Sequence, residues 1–353
     1  MSATSMRRAA LEEALLPPFM ALAIILVTGD LLILVYGEAP GAVWTLLIEG
    51  TWGNPYGIGQ VLYKATTLTC TGLAVAFALR AGLFNIGAEG QLAAGGFGAA
   101  LAGLVLPAGT PALLAIATCV AAAAICGGAV GAVPGVLRAR FGAHEVIVTI
   151  MMNFIVLALL NYLIVGPLSV PETLHTPTVH AGEVPRLSAT FAAFHGSAAN
   201  WTIAIVGAAV ISVAVYLFRT RAGFELRAVG LQPAAAEYGG VNVPRTLRNA
   251  LTLSGAIAGI GGVNFVLGYK GYYEDGFAGG AGFLGIAVAL VGRNHPLGVV
   301  IAALFFATLS QGGLAINAMV PKQMVEVLQG IVILAVAASV PEVRRLVRQA
   351  AGR

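Results

Sequence analysis

The residues best suited to chemistry in this apolar chain lie between Arg80 and Gln91, in the run Arg-Ala-Gly-Leu-Phe-Asn-Ile-Gly-Ala-Glu-Gly-Gln. Asn85, Glu89 and Gln91 cluster there, and Gly82, Gly87 and Gly90 interrupt two apolar stretches. A carboxylate at the centre of a bilayer costs about 2.5–3.5 kcal/mol on the insertion scale. Glu89 therefore requires an interface, a cavity or a partner, and Arg80 is one candidate partner. Helices broken at polar groups are typical of substrate and gating regions in transporters. The alternative for the same residues is a cytoplasmic turn with Glu89 near a helix N-terminus, where the dipole favours an anion.

A second polar set opens with His144 and Glu145 and continues through Thr149, Asn153 and Asn161 along one apolar run. Eight residues separate the two asparagines, so both project from nearly one helix face. That face either lines a polar pathway or hydrogen-bonds a neighbouring helix, and Asn264 with Ser254 reads the same way. A third candidate is the polar segment 219–248, in which Pro233 followed by Ala234, Ala235 and Ala236 predicts a helix start. Gly239 and Gly240 would end that helix, leaving a short rigid knob. As a bare connector the segment would be unusually long.

Several chemistries are excluded. No Gly-Lys pair occurs, so no P-loop is present and ATP would have to act through another subunit. His175, His180 and His195 are scattered over one polar segment, and no Cys/His cluster accompanies Cys70, Cys119 and Cys126, which read as packing residues. Ser254 has no plausible histidine partner for a protease. No cofactor is implied.

The elements that position these groups follow from composition. Of 353 residues, 58% are hydrophobic and only 10% charged, and mean hydropathy is +0.90, which excludes an ordinary soluble domain. The net charge of +4 and pI near 9.1 do not indicate nucleic acid, because the basic residues flank apolar spans instead of forming a patch interleaved with aromatics. They read as topology signals and lipid headgroup contacts.

About 20 apolar residues cross a bilayer, and ten spans are expected. They are Leu15–Gly37, Val61–Arg80, Gln91–Pro107, Ala112–Leu137, Glu145–Val165, Trp201–Phe218, Asn249–Leu267, a thin Gly276–Gly292, Leu297–Ile316 and Met324–Val340. Gly41–Ile58 lies free or dips into the outer interface. With this order fifteen of the nineteen basic residues fall on one side and only Lys64, Arg186, Lys270 and Lys322 on the other, so the rich side is cytoplasmic. The expectation is an all-α, polytopic membrane helical bundle forming one domain, 1–353. Its N-terminus (1–14), coupling loop (219–248) and tail (341–353) are cytoplasmic, and its main outer loop is 166–200. The 46 glycines include Gly127, Gly131 and Gly135, and Gly255 with Gly259, spaced for close helix approach.

Three stretches, Gly82–Gln91, Ala139–Asn153 and Gly282–Pro296, resemble the permease subunits of binding-protein-dependent ABC importers for nucleosides, simple sugars and branched-chain amino acids. The resemblance covers about Gln60–Val340 and is closest to the nucleoside branch. Gln232–Val241 followed by Leu253–Gly262 is similar to that family's coupling segment, although relatives often carry Asn at the position of Gln232 and Ala at that of Gly239. The resemblance implies a multi-pass subunit of a bacterial inner membrane, paired with itself or a sister permease. An extracytoplasmic substrate-binding protein would dock outside, and the coupling loop would rest in a groove of a cytoplasmic ABC ATPase. Glu225, Arg227, Gly230, Pro233, Ala235, Ala236 and Gly240 are the expected coupling residues. Asn85, Glu89, Gln91, Asn153 and Asn264 are the expected pathway residues. A simple sugar is the alternative substrate. An ion-coupled carrier is the alternative class, but it would need several intramembrane ionisable groups, and Asp30 is almost alone.

Overall fold

Long apolar runs bounded by Gly, Pro and Arg become helices, since only an intrasegment ladder satisfies the backbone away from water. A computed structural model describes residues 26–331, together with residues 23 and 334. The expected N-terminal segment 1–14 and tail 341–353 lie outside the described residues, as do parts of the expected first and tenth spans.

In chain order the named helices are α1 (Leu26–Val35), α2 (Pro40–Thr51), α3 (Pro55–Arg80), α4 (Ala88–Val105), α5 (Ala112–Phe141), α6 (Glu145–Val165), α7 (Thr202–Arg219), α8 (Arg221–Leu231), α9 (Pro233–Tyr238), α10 (Val243–Ile260), α11 (Val263–Phe265), α12 (Ala281–Val291) and α13 (Pro296–Ala315). A π-helical turn, Val266–Lys270, extends α10 and α11 into one 28-residue crossing, Val243–Lys270. Among the described residues six helices are long and apolar enough to cross a membrane, or seven if α1 and α2, bent by 113° at their break, count as one span.

Two expected spans fall outside that group for identifiable reasons. α4 opens on Glu89 and Gln91 and carries glycines throughout, so its hydropathy is low; it is buried along nearly its whole length and needs no lipid-compatible surface. α12 has 11 residues, roughly 16 Å of helix, about half a bilayer core. It follows a segment in which Gly276, Gly279 and Gly280 all adopt positive φ.

The described residues divide into two compact units, one of residues 58–307 and one formed by the described parts of 1–57 and 308–353. In the second, Trp44 Nε1 donates to Asp30 Oδ1 at 2.7 Å, so the nearly solitary acid of the first apolar run has a hydrogen-bond donor close by. Gly312 lies against Leu47 there, with room for no further carbon.

The larger unit is built on a glycine seam. α5 lays Gly127, Gly131 and Gly135 against α10, where a Cβ on Gly131 would overlap the Leu251 carbonyl and one on Gly135 would stand 2.8 Å from the Arg248 carbonyl. Gly255 and Gly259 of α10 meet Gly127 and Ala123 in return, and Gly95 of α4 meets Gly259. Backbones in contact supply the dispersion that lipid cannot. The two glycine sets singled out by their spacing thus meet in one interface. Burial separates the spans: 78% of the apolar window of α3 and 72% of Val243–Lys270 is buried, against 28% for each of α5, α6 and α7. α3, α4 and α10 are central, and the others present outward apolar faces such as Phe154, Ile155 and Tyr162 of α6.

The segment 166–200 is not free. Thr176 N donates to the Tyr273 carbonyl, Val179 N to Gly271, Val184 N to Leu267 and His180 N to Gly103, tying it across the ends of α4 and the π-helical turn.

Candidate functional site

The break between α3 and α4 begins at Gly82, whose φ of +73° is open to glycine and costly for other residues. The turn that follows is held by side-chain amides in place of a backbone ladder. Asn85 Nδ2 donates to Gln91 Oε1 at 2.8 Å and to Ser254 Oγ at 2.7 Å, while its Oδ1 accepts from Gly87 N at 2.9 Å. Ser254 Oγ passes its own proton to the Ala74 carbonyl at 2.7 Å. One chain of bonds thus joins the turn, α10 and α3. Asn153 of α6 treats the same turn as a strand partner: its Nδ2 donates to the Ile86 carbonyl and its Oδ1 accepts from Gly90 N, both at 2.9 Å. Asn85, Gln91, Asn153 and Ser254 are all buried.

Glu89 does not pair with Arg80. Its Oε1 accepts from Gly280 N at 2.8 Å and its Oε2 from Gly282 N at 2.6 Å. The carboxylate therefore lies in the first turn of α4 and at the N-terminus of α12 at once, with two helix dipoles and two charge-assisted bonds to offset its desolvation. No Cβ fits at Gly282, which packs on the Glu89 backbone. Arg80 instead donates from Nε to the Asn294 carbonyl at 2.9 Å. Next to this cap the wholly buried Tyr273 stands edge-on to Phe97 and Phe277, and its hydroxyl has no hydrogen-bond partner. Burial first, then the carboxylates Asp275 and Glu89, raise its pKa above the ordinary phenol value, so it stays a neutral phenol.

Asn264 occupies a different place, deep between α3 and the end of segment 166–200. Its Nδ2 donates to the Tyr63 carbonyl and to Thr67 Oγ1, both at 2.9 Å, and its Oδ1 accepts from Asn200 Nδ2 at 2.9 Å. Asn161, grouped with Asn153 by spacing, reaches outward to Asp275 Oδ2 at 3.1 Å. The structure thus brings Asn85, Gln91, Asn153 and Ser254 together, sets Glu89 beside them on α12, and keeps Asn264 apart with Asn200. Asn200 is the partner that sequence reasoning missed. Its signal was slight, a buried amide hidden at the end of a polar segment.

Residues 219–248 form an elbow. Thr220 caps α8, accepting from Gly223 N at 3.1 Å, and Arg221 pairs with Glu225 at 2.9 Å. α9 begins at Pro233, as expected, with Gly239 at its C-cap and Gly240 at φ +85°. The expected coupling residues divide by direction. Pro233, Ala235 and Gly240 are exposed and Ala236 faces inward. Around them Leu231 and Tyr238 are 85% and 98% exposed, large side chains left uncovered among the described residues. Glu225 and Arg227 are half-buried. Gly230 faces the chain itself: a Cβ there would collide with the Arg80 carbonyl and stand 3.0 Å from the Ala81 carbonyl carbon, and a Cβ on Gly82 would stand 3.3 Å from Gly230 Cα. The elbow is seated, glycine on glycine, on the turn that leads into the Asn85 network. Gln232 offers α9 no side-chain cap. Gln232→Asn should supply one and stabilise α9 by about 0.5–1 kcal/mol, read as slower amide exchange at Ala235 and Ala236.

Residues 57–337 match the family described as branched-chain amino acid transport system, permease component. The chain is 38% identical over 330 residues to the guanosine ABC transporter permease protein NupP of Bacillus subtilis, covering 92% of this chain and 93% of that protein. It is 33% identical to the nucleoside ABC transporter permease protein NupB of Lactococcus lactis, over 91% and 90% of the two chains. It is also 34% identical to the glucose ABC transporter permease protein TsgB13 of Haloferax volcanii, over 90% and 85%. This chain therefore belongs to that family of ABC importer permease components, and it is a multi-pass membrane protein.

Proposed function

We propose that the chain forms part of the transmembrane pathway of a nucleoside importer, with ATP hydrolysed by a separate cytoplasmic ATPase that receives the α8–α9 elbow. The observation that carries the coupling role is the elbow itself: Leu231, Ala235 and Tyr238 are uncovered on its outside while Gly230 is seated on Arg80 and Ala81 inside. As a permease component the chain is not an enzyme, and its family implies an ATPase and a binding protein as partners. A second permease subunit, identical or sister, completes the proposed pathway.

The bias of fifteen basic residues toward one side supports ten spans with both termini cytoplasmic, in a bacterial inner membrane. The buried, bonded state of Asn85, Glu89, Gln91, Asn153 and Asn264 supports a refined role for them. They shape the wall of the pathway by fixing the α3–α4 break, α12 and the Asn264 junction, and solute selection rests chiefly with the binding protein.

Relatives named for guanosine and for nucleosides favour a nucleoside, and a similar relative named for glucose makes a sugar the second reading. Uptake by the reconstituted importer, measured with radiolabelled guanosine, uridine and glucose, decides between them. Guanosine or uridine uptake that depends on ATP and resists excess glucose is the expected result. Saturable glucose uptake with no nucleoside uptake would overturn the nucleoside assignment.

A further inference from the structure

At one end of the helices three basic side chains surround a single phenyl ring. Phe218, at the end of α7, has the Arg80 guanidinium carbon 5.9 Å and the Arg227 guanidinium carbon 5.4 Å from its ring centroid. The His295 ring stacks on it at 5.5 Å and 26°. Four elements meet here: the end of α3, the end of α7, α8, and the turn between α12 and α13. The two arginines act on each other as like charges. Among the described residues each guanidinium donates only from its Nε, Arg80 to the Asn294 carbonyl at 2.9 Å and Arg227 to the Gly223 carbonyl at 3.3 Å. Among the described residues neither is in a salt bridge; the nearby Glu225 pairs with Arg221. Arg219 and Arg293, both exposed, extend the positive field.

Such a cluster suits an anion. Its surroundings indicate where the anion comes from. Beside the ring, along α7, Ile211 and Val215 are exposed, and beyond His295, on α13, so are Leu297 and Ile301, at 65% and 70%. A free phosphate leaves these side chains uncovered, whereas a phospholipid lays its acyl chains on them while its headgroup meets the guanidinium NH2 groups.

The geometry points to a binding site for an anionic phospholipid, its phosphate held by Arg80 and Arg227 around Phe218 and its chains lying against α7 and α13. The site adjoins the seat of the α8–α9 elbow through Arg80, so an occupant also braces that seat. The site requires only the membrane location of the chain and is independent of which solute is carried.

The test is native mass spectrometry of the assembled importer, titrated with phosphatidylglycerol, phosphatidylcholine or inorganic phosphate. Wild-type importer should retain phosphatidylglycerol at least about fivefold better than phosphatidylcholine, and Arg80→Gln should reduce that retention about fivefold, the effect of one basic residue near a headgroup. Arg140→Gln, at the exposed end of α5 and outside the four elements that build the site, should leave it unchanged. His295→Gln repeats the test should Arg80→Gln fail to assemble, and it should weaken retention in the same direction. Equal retention of the two lipids, equal retention by wild type and these variants, or full competition by inorganic phosphate would overturn the proposal. Appearance of the site only after the ATPase is stripped away would overturn it as well, since the arginines would then serve a partner's carboxylate.

Discussion

Gly230→Val should leave the importer inserted, assembled and able to bind its ATPase, yet reduce ATP-driven uptake by roughly ten- to a hundredfold. The new Cβ meets the Arg80 carbonyl and stands 2.9 Å from the Arg80 carbonyl carbon, and backbone cannot rotate aside as a flexible side chain can. Overpacking of this kind costs about 1–3 kcal/mol, and each 1.4 kcal/mol is a factor of ten. The strain is relieved by lifting α8 away from the α3–α4 turn, which separates the elbow from the Asn85 bonds to Gln91 and Ser254. Ala235→Asp gives the contrasting phenotype. Ala235 is exposed, so a carboxylate there strains nothing within the chain but opposes an apolar docking surface, and the ATPase should dissociate. Co-purification separates the two: ATPase retained with uptake lost for Gly230→Val, ATPase lost for Ala235→Asp. Unimpaired uptake by Gly230→Val would show that the glycine seat transmits nothing.

How far these features could be read beforehand depended on where the deciding partner lies. α6 was legible to the residue, because Glu145–Val165 is a predominantly apolar run without Gly or Pro that opens on a polar pair, and its limits depend on its own composition. α4 was legible as a helix but is less apolar than the lipid-facing spans, since it is sheathed by protein; its sequence answers to α5 and α10, not to lipid. The glycine spacing announced close approach on two spans, and only the fold shows that Gly127 and Gly131 meet Gly255. Asn153 and Asn161 share a face, yet one closes on the α3–α4 turn and the other on Asp275. Facial periodicity fixes direction at a helix surface and is silent on what stands opposite each turn. Glu89 was the least legible. The groups it binds are backbone N–H donors about 190 residues away, and a backbone amide leaves no mark in a sequence. Arg80, the one conspicuous cation near it in the chain, was for that reason the wrong partner to expect.

The Glu89 cap carries the other large effect. Glu89 is 6% exposed, and each of its oxygens takes one backbone proton from the start of α12. Glu89→Ala leaves the buried Gly282 N–H and the half-buried Gly280 N–H without acceptors, at about 1–3 kcal/mol for the first and less for the second, so a loss of about 2–4 kcal/mol in stability is expected. Thermal unfolding in detergent should shift down by on the order of 10 °C. Glu89→Gln separates charge from shape: its amide oxygen can still accept from one of the two donors, while its NH2 group faces the other, so its loss should fall between those of wild type and alanine. Glu89→Asp keeps the charge but is one methylene short of spanning from α4 to α12, and it should resemble Gln more than wild type. If stability follows this order but uptake falls equally in all three variants, the orientation of α12, and not the bare stability of the bundle, limits transport. A Glu89→Ala protein as stable and active as wild type would mean that the two N–H groups find other acceptors and that the carboxylate does not hold α12 in place.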